Sequence, residues 1–398
     1  MSENNLPDPI LIREITPCNL LSFGPDAHPI QLGALNVVIG PNGSGKSNLI
    51  EAVALLRSTA KDIRDTIRKG DGVTEWIWKG NADRPASVTA IIADPKGNQP
   101  LRHIFAFRSE QQLFRLEDER IENEKPYSGE TGSHFYYHYQ HGRPVLNIPG
   151  GEKRLINEDL APDESILTKL RDPVTYPEIF YLANVYEKIR FYREWQFGRN
   201  TLDTLFRNPQ RTDSRNDILE EDFSNLGMFL SRLRLEPKTK KLILKNLRDL
   251  YEGLDDFQIF PQGGTLQIFF NEGDFSIPAT RLSDGALRYL SLLAILCDPT
   301  PPPLICIEEP ELGLHPDILP KLADLLLDAS QRTQLIVTTH SDSIVNALTK
   351  FPESVLICEK HAGQTQIERL DPDHLKEWLK NYGLGELWTR GELGGNRW

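Results

Sequence analysis

The stretch Leu35-Asn36-Val37-Val38-Ile39-Gly40-Pro41-Asn42-Gly43-Ser44-Gly45-Lys46-Ser47-Asn48 decides how the rest of the chain is read. A short, mostly apolar strand pattern runs into a glycine-rich loop, and a helical pattern opens at Ser47. Gly40, Gly43 and Gly45 let successive backbone N–H groups point inward around a β-phosphate. The helix that follows presents its positive N-terminus to the same anion. Lys46 adds a mobile point charge for the β- and γ-phosphates, and the Ser47 hydroxyl is a magnesium ligand. Every position from Gly40 to Ser47 fits the phosphate-binding pattern, so a chance glycine turn before Lys-Ser carries little weight. ATP and Mg²⁺ are the expected ligands, with Gly40, Pro41, Asn42, Gly43, Ser44, Gly45, Lys46, Ser47 and Asn48 as the contact set.

Two later strand patterns end in chemistry. Leu304-Ile305-Cys306-Ile307 is followed by Glu308 and Glu309, as a buried parallel strand delivering two acids would be. Such a strand end sets the first acid beside the metal ion and the second beside the attacking water. A divalent cation lets both stay ionised at close range. Glu308 is therefore expected at Mg²⁺, through water, and Glu309 as general base or water-positioning group. The blander reading is an acidic strand-to-turn transition before Pro310. A second apolar run, Gln334 to Thr338, leads into Thr339-His340-Ser341. His340 at that strand's end can reach a γ-phosphate, although a lone histidine there is more often a cap or a core group.

Around these anchors the pattern is α/β. Strands are expected at Ile10–Ile15 and Asn19–Phe23, then a helix from about Ser47 to Lys69 closed by Gly70-Asp71-Gly72. Residues 85–160 read as short antiparallel strands, and 163–250 as mostly helical with a polar loop at 199–222. Strands at Phe257–Phe260 and Thr265–Phe270 precede a helix starting near Asp284, which Pro299–Pro303 breaks. The expected division is 1–160, an N-terminal ATPase half carrying the phosphate loop and an antiparallel β lobe; 161–254, a helical lobe; and 255–398, the C-terminal ATPase half. A net charge of −12 argues against a surface that coats nucleic acid everywhere, and leaves room for a local basic face. No secretory signal, membrane-length apolar run, sustained heptad pattern or metal-type cysteine spacing is visible, so a cytoplasmic protein without membrane contact or a long coiled-coil arm is expected.

The order phosphate loop, Leu282-Ser283-Asp284-Gly285, Ile307-Glu308-Glu309-Pro310-Glu311, then His340 resembles the ABC-type ATPase heads, a branch of the P-loop NTPases. Within them it looks like the RecF, SMC and OLD branch, through Asn19-Leu20-Leu21-Ser22-Phe23. It also resembles the stand-alone bacterial ATPase group of AAA type, through Leu282 to Arg288, Glu309 to Pro316 and Leu384 to Trp388. The resemblance implies a homodimer, head to tail around two ATP molecules, in which Ser283 and Gly285 contact the γ-phosphate held by the partner's Lys46 and Ser47. As a local motif, Ser283 before a helix is a commonplace N-cap. Glu311 to His315 would couple the two sites. Departures from the pattern are Glu308 where the family usually has Asp, Asp284 in the signature, and Leu21 where a basic residue is common. No glutamine is found for joining the lobes to the metal, and Glu164 to Asp172 is the expected segment for that task.

Arg57, Lys61, Arg64 and Arg68 are spaced for one helix face, and Arg232 to Arg248 is the most basic stretch of an acidic chain. Each is either a solvated surface or a weak, sequence-independent DNA contact. His134, His138 and His141 lie among aromatics, where strand alternation is a simpler account than a metal site. In the tail, Leu375, Trp378 and Leu379 form an amphipathic pattern, with Trp388 and Trp398 as apolar anchors. The favoured function is an ATP-driven dimerisation switch in DNA repair or anti-phage defence, working with a separate effector such as a nuclease. The alternatives are the ATPase subunit of a transporter, which the long Lys46-to-Ser283 spacing opposes, and a scaffold that binds ATP but barely hydrolyses it.

Overall fold

The computed structural model describes residues 9–395 apart from Pro95, Asn98, His141, 149–150, 155–160 and 196–209. His141 and Trp398 thus lie outside the described residues. At the centre is a sheet in the spatial order Arg190–Tyr192, Leu304–Glu308, Gln334–Thr338, Leu35–Ile39, Val355–His361, Gln364–Arg369. The first five strands are mutually parallel, and only Gln364–Arg369 pairs antiparallel. Because side chains alternate along a strand, the apolar runs feed two cores. Ile305, Ile307, Leu335, Val337, Val37 and Ile39 face one side, where the helices Leu226–Arg234, Pro237–Leu250, Asp284–Leu296 and Leu319–Ala329 cover them. Leu304, Cys306, Ile336 and Val38 face the other, toward the helix Lys46–Thr59 and a second sheet.

That second sheet is antiparallel, with eight strands in the order Ile30–Gln31, Ile12–Cys18, Ala86–Ile92, Leu101–Glu110, Leu113–Asn123, Phe135–Gln140, Arg143–Ile148, Gly151–Arg154. Gln334, fully buried, joins it to the central sheet. Its Oε1 accepts from the N–H groups of Leu11 and Ile12, and its Nε2 donates to the carbonyls of Ile12 and Gly33. A small sheet of Gln210–Arg211, Asp256–Gln262, Thr265–Glu272 and Phe275–Pro278 lies beside the helices on the first side.

Several expectations are corrected here. Asn19–Phe23 is a tight turn, not a strand: Asn19 and Leu21 have positive φ, and Phe23 N–H donates to Leu20 O at 2.8 Å. An asparagine tolerates that backbone, and its Nδ2 ties the turn to Arg84 O at 2.7 Å. The helix expected over 47–69 is two helices, Lys46–Thr59 and Ile63–Lys69, because Asp62 turns extended and caps Arg64 N–H. The strand Arg190–Tyr192 falls inside the stretch read as a helical lobe, and it belongs to the central sheet. Of that stretch, the helices Leu226–Arg234 and Pro237–Leu250 cover the first core, while Pro177–Lys188 packs into the second. No helix among the described residues is long and apolar enough to cross a membrane.

Candidate nucleotide site

Parallel strands all point their C-terminal ends the same way, so residues far apart in sequence meet at one edge of the sheet. Gly40 leaves Leu35–Ile39, Glu308 closes its strand, and Thr338 leads to His340. The loop itself is held tightly. A Cβ at Gly40 would stand 2.1 Å from Cys358 O, and one at Gly45, where φ is +111°, would stand 2.1 Å from Thr365 Oγ1. No side chain fits either place, so the backbone lies where it can wrap an anion.

Lys46 is buried at the loop's base, with Nζ donating to Gly40 O at 2.9 Å and Pro41 O at 3.0 Å. Burial pulls its pKa below the usual lysine value, while Cys358, Glu309 and Glu311 pull the other way. The Ser47 hydroxyl donates to Glu308 Oε2 at 3.2 Å. Burial raises the Glu308 pKa, and Arg193 and Ser47 oppose the rise. A hydroxyl and a carboxylate meeting beside a phosphate loop are hard oxygen donors of the kind Mg²⁺ takes, with phosphate oxygens and water completing its shell. Glu309 sits at φ +46°, its N–H bonded to Thr338 O, and its Oε1 lies 3.6 Å from His340 Nε2. Glu311 is partly buried beside this pair, where its Oε1 accepts from Thr339 Oγ1 and His340 N–H, both at 2.7 Å. The expected acids and histidine are therefore brought together with Lys46 and Ser47.

The signature residues lie elsewhere. Ser283 is exposed and caps its own helix, its Oγ accepting from Ala286 N–H. Gly285 abuts the loop after the acids, since a Cβ there would stand 2.7 Å from Gly313 O. Among the described residues no hydrogen bond links Ser283 or Gly285 to the phosphate loop of the same chain.

A family model described as "AAA domain, putative AbiEii toxin, Type IV TA system" matches residues 35–346. The chain belongs to this AAA-domain family. A stretch of 59 residues is 46% identical to the chromosome partition protein Smc of Cereibacter sphaeroides, which is 15% of this chain and about 5% of that curated relative's length. The fold is that of SMC heads. A crystal structure of an SMC head bound to the C-terminal winged-helix domain of ScpA has a TM-score of 0.56 at 15% identity, covering 92% of this chain and all of the other. An SMC head with an extended coiled coil, bound to the C-terminal domain of ScpA, from Pyrococcus furiosus, has a TM-score of 0.54 at 13% identity, covering 93% and 98%. The protein is thus a nucleotide-binding ATPase of the AAA family, with the fold of SMC heads.

Sequence reasoning missed several residues that hold this AAA site. Asn48 Nδ2 donates to Ser22 Oγ at 2.6 Å, Ser22 bonds Thr365 Oγ1 at 2.6 Å, and Thr365 Oγ1 donates to Ser44 O at 2.6 Å. Each hydroxyl has one proton, so Ser22 must donate to Thr365, and the chain closes around the loop. The lobe-joining segment expected at Glu164–Asp172 is also misplaced. Glu164 pairs with Arg64 and Lys169, beyond the far end of the Lys46–Thr59 helix. What reaches the acids instead is the end of the Arg190–Tyr192 strand: Arg193 Nε lies 3.3 Å from Glu308 Oε1, and its Nη1 pairs with Glu51. Trp195 Nε1 donates to Glu308 O at 2.7 Å, and Arg288 of the signature helix donates to Trp195 O at 3.2 Å. Arg288 was legible as the one charge in the run Ala286–Leu296, whereas three strand residues after a helix give no periodic signal.

Proposed function

We propose that the protein binds MgATP in the Gly40–Asn48 loop, hydrolyses it, and uses the bound nucleotide to hold two copies head to tail. The observation that carries this reading is the division of the site: Lys46, Ser47, Glu308, Glu309 and His340 converge in one chain, while among the described residues Ser283 and Gly285 make no hydrogen bond to its phosphate loop. Loop N–H groups and Lys46 would bind the β- and γ-phosphates. Ser47 and Glu308 would hold the metal, which supplies charge neutralisation at the phosphates. Glu309 would take the proton of the attacking water, and His340, 3.6 Å away, would orient the γ-phosphate. Ser283 and the helix N-terminus behind it would meet the partner's γ-phosphate. Dimerisation is tested by light scattering on Glu309→Gln with saturating MgATP. A protein that stays monomeric there overturns the composite site.

The biological setting we infer is anti-phage defence or DNA repair, with a separate effector such as a nuclease. The family description, a toxin of a type IV system, favours defence. Of the two basic faces, the first loses support. Arg57 pairs with Glu221, Arg64 pairs with Asp163 and Glu164, and the helix break at Ala60–Lys61 separates them. The second keeps Lys238, Lys241 and Lys245 exposed at helical spacing on Pro237–Leu250. These three would contact a nucleic-acid backbone without reading sequence.

A further inference from the structure

The peptide between Glu308 and Glu309 is gripped at both ends. Its N–H donates to Thr338 O at 3.0 Å, and its carbonyl accepts from the Trp195 indole at 2.7 Å. This is the peptide where the chain turns into the left-handed region, so its tilt sets where the Glu309 carboxylate points. Trp195 is in turn fixed by the signature helix. Arg288 donates to its carbonyl, and the guanidinium carbon lies 5.1 Å from the ring centre. The indole also lies against Phe223, with ring centres 5.5 Å apart. Arg288 is 8% exposed, and the charges nearest it include Glu311, Asp284 and Glu309. One turn earlier on the same helix, Gly285 rests against Gly313 of the loop that follows the acids.

A buried, charged side chain in an apolar helix is costly unless it is fully used. Here it links Asp284–Leu296 to the hydrogen bond that fixes the carbonyl of Glu308. Any movement of this helix, whose first turn carries Ser283, is carried by a rigid indole to the general base. We propose that Arg288 and Trp195 are positioning residues that report the state of the signature helix to Glu309, so that hydrolysis follows engagement of Ser283 by a second copy. The inference rests on the reading of Glu309 as base and Ser283 as dimer contact. It assigns to 193–195 the coupling task that sequence reasoning sought in 164–172.

The test is steady-state phosphate release by Trp195→Phe, Arg288→Met, Arg288→Lys and the double variant Trp195→Phe/Arg288→Met, with binding of a fluorescent ATP analogue measured alongside. Trp195→Phe keeps an aromatic ring and removes the indole donor together with the pyrrole part of the ring. Loss of one such hydrogen bond corresponds to about a tenfold fall in kcat, with KM and nucleotide affinity within about twofold of wild type. Because the two residues act in series, the double variant should match the more impaired single one instead of multiplying the losses. Arg288→Lys, which retains a donor, should recover most of what Arg288→Met loses. Single variants with wild-type kcat, losses that multiply, or nucleotide binding that falls in step with kcat would each overturn the inference. If Trp195→Phe does not fold, the Lys-against-Met comparison at Arg288 tests the same link: equal kcat in those two variants overturns it. Wild-type protein that binds ATP and releases no phosphate overturns the hydrolysis reading itself, and the inference with it.

Discussion

Replacing Gln334 by leucine should loosen the joint between the two sheets. The side chain is fully buried and makes four bonds: from Leu11 N–H at 3.2 Å, from Ile12 N–H at 2.9 Å, to Ile12 O at 2.8 Å and to Gly33 O at 3.0 Å. Leucine is close in size but can make none of them. Gly33 O keeps a second donor, Asn36 Nδ2 at 2.8 Å, so two N–H groups and one carbonyl lose the partner that Gln334 gave them. At about 1–2 kcal/mol each the penalty is about 3–6 kcal/mol, and the more apolar side chain returns about 1–2. The net loss of about 2–4 kcal/mol is a large share of a typical domain's about 5–15. In urea it corresponds to a midpoint lower by about 1–2 M, read by tryptophan fluorescence and circular dichroism. Gln334→Glu should be at least as damaging, since it aims a second oxygen at the carbonyls of Ile12 and Gly33 and buries a charge. A leucine variant within about 1 kcal/mol of wild type would falsify the claim that this amide joins the sheets.

Lys46→Ala should weaken nucleotide binding by about 10- to 100-fold, the value of one charge-assisted contact, in an ATP-analogue titration; normal affinity would move the site elsewhere. Glu309→Gln should keep that affinity while phosphate release falls about 10²–10⁴-fold, and unchanged turnover would remove it as general base. Glu311 gives a pH prediction. Burial sets its folded pKa above the usual value, so its contribution to stability is present at low pH and is lost as pH rises from the unfolded pKa through the folded one. Glu311→Gln, which can still accept from Thr339 and His340, should therefore gain in melting temperature relative to wild type between pH 4.5 and pH 7.5 by roughly a few degrees. A constant difference across that window would refute it. Reversing Lys238, Lys241 and Lys245 to Glu should lower the salt dependence of DNA binding by about 2–3 in log–log slope, and an unchanged slope would take the proposed contact off this helix.

What the sequence made legible followed from local rules. The strand–loop–helix at Leu35–Asn48 and the acid strand Leu304–Glu308 each carry their pattern within a short local window, so periodicity and composition suffice. Where tertiary contact overrides local pattern, the reading failed. Asn19–Phe23 has strand-like composition, yet Leu20 and Phe23 bury into the second core as a turn. The Arg190–Tyr192 strand is three residues long and is specified by its pairing with Ile305–Ile307, which no local window contains. Ser22 and Thr365 meet Ser44 and Asn48 only because Gln364–Arg369 folds back along the sheet beside the phosphate loop. Charge reading failed for a related reason. Arg57 and Arg64 look free in sequence, and their partners Glu221 and Asp163 are about a hundred or more positions away.

The strand order also bears on why the signature should need a second copy. Gln334–Thr338 lies between Leu304–Glu308 and Leu35–Ile39, which puts about 10 Å between the acid strand and the strand that feeds the phosphate loop. Ser47 and Glu308 span that gap from one side. On the other side of the acid strand runs Arg190–Tyr192, and there Trp195 and Arg288 tie down the signature helix. Within one chain the acid strand has the loop strand on one flank and Arg190–Tyr192 on the other, while Gly285 packs on Gly313 and Arg288 bonds Trp195. In the proposed dimer, a second copy turned head to tail would supply the serine without disturbing either contact, and pressing on that helix would act through Arg288 and Trp195 on the peptide that aims Glu309. The link from Arg288 through Trp195 to the Glu308 carbonyl would in this way make closure of the dimer the signal for hydrolysis.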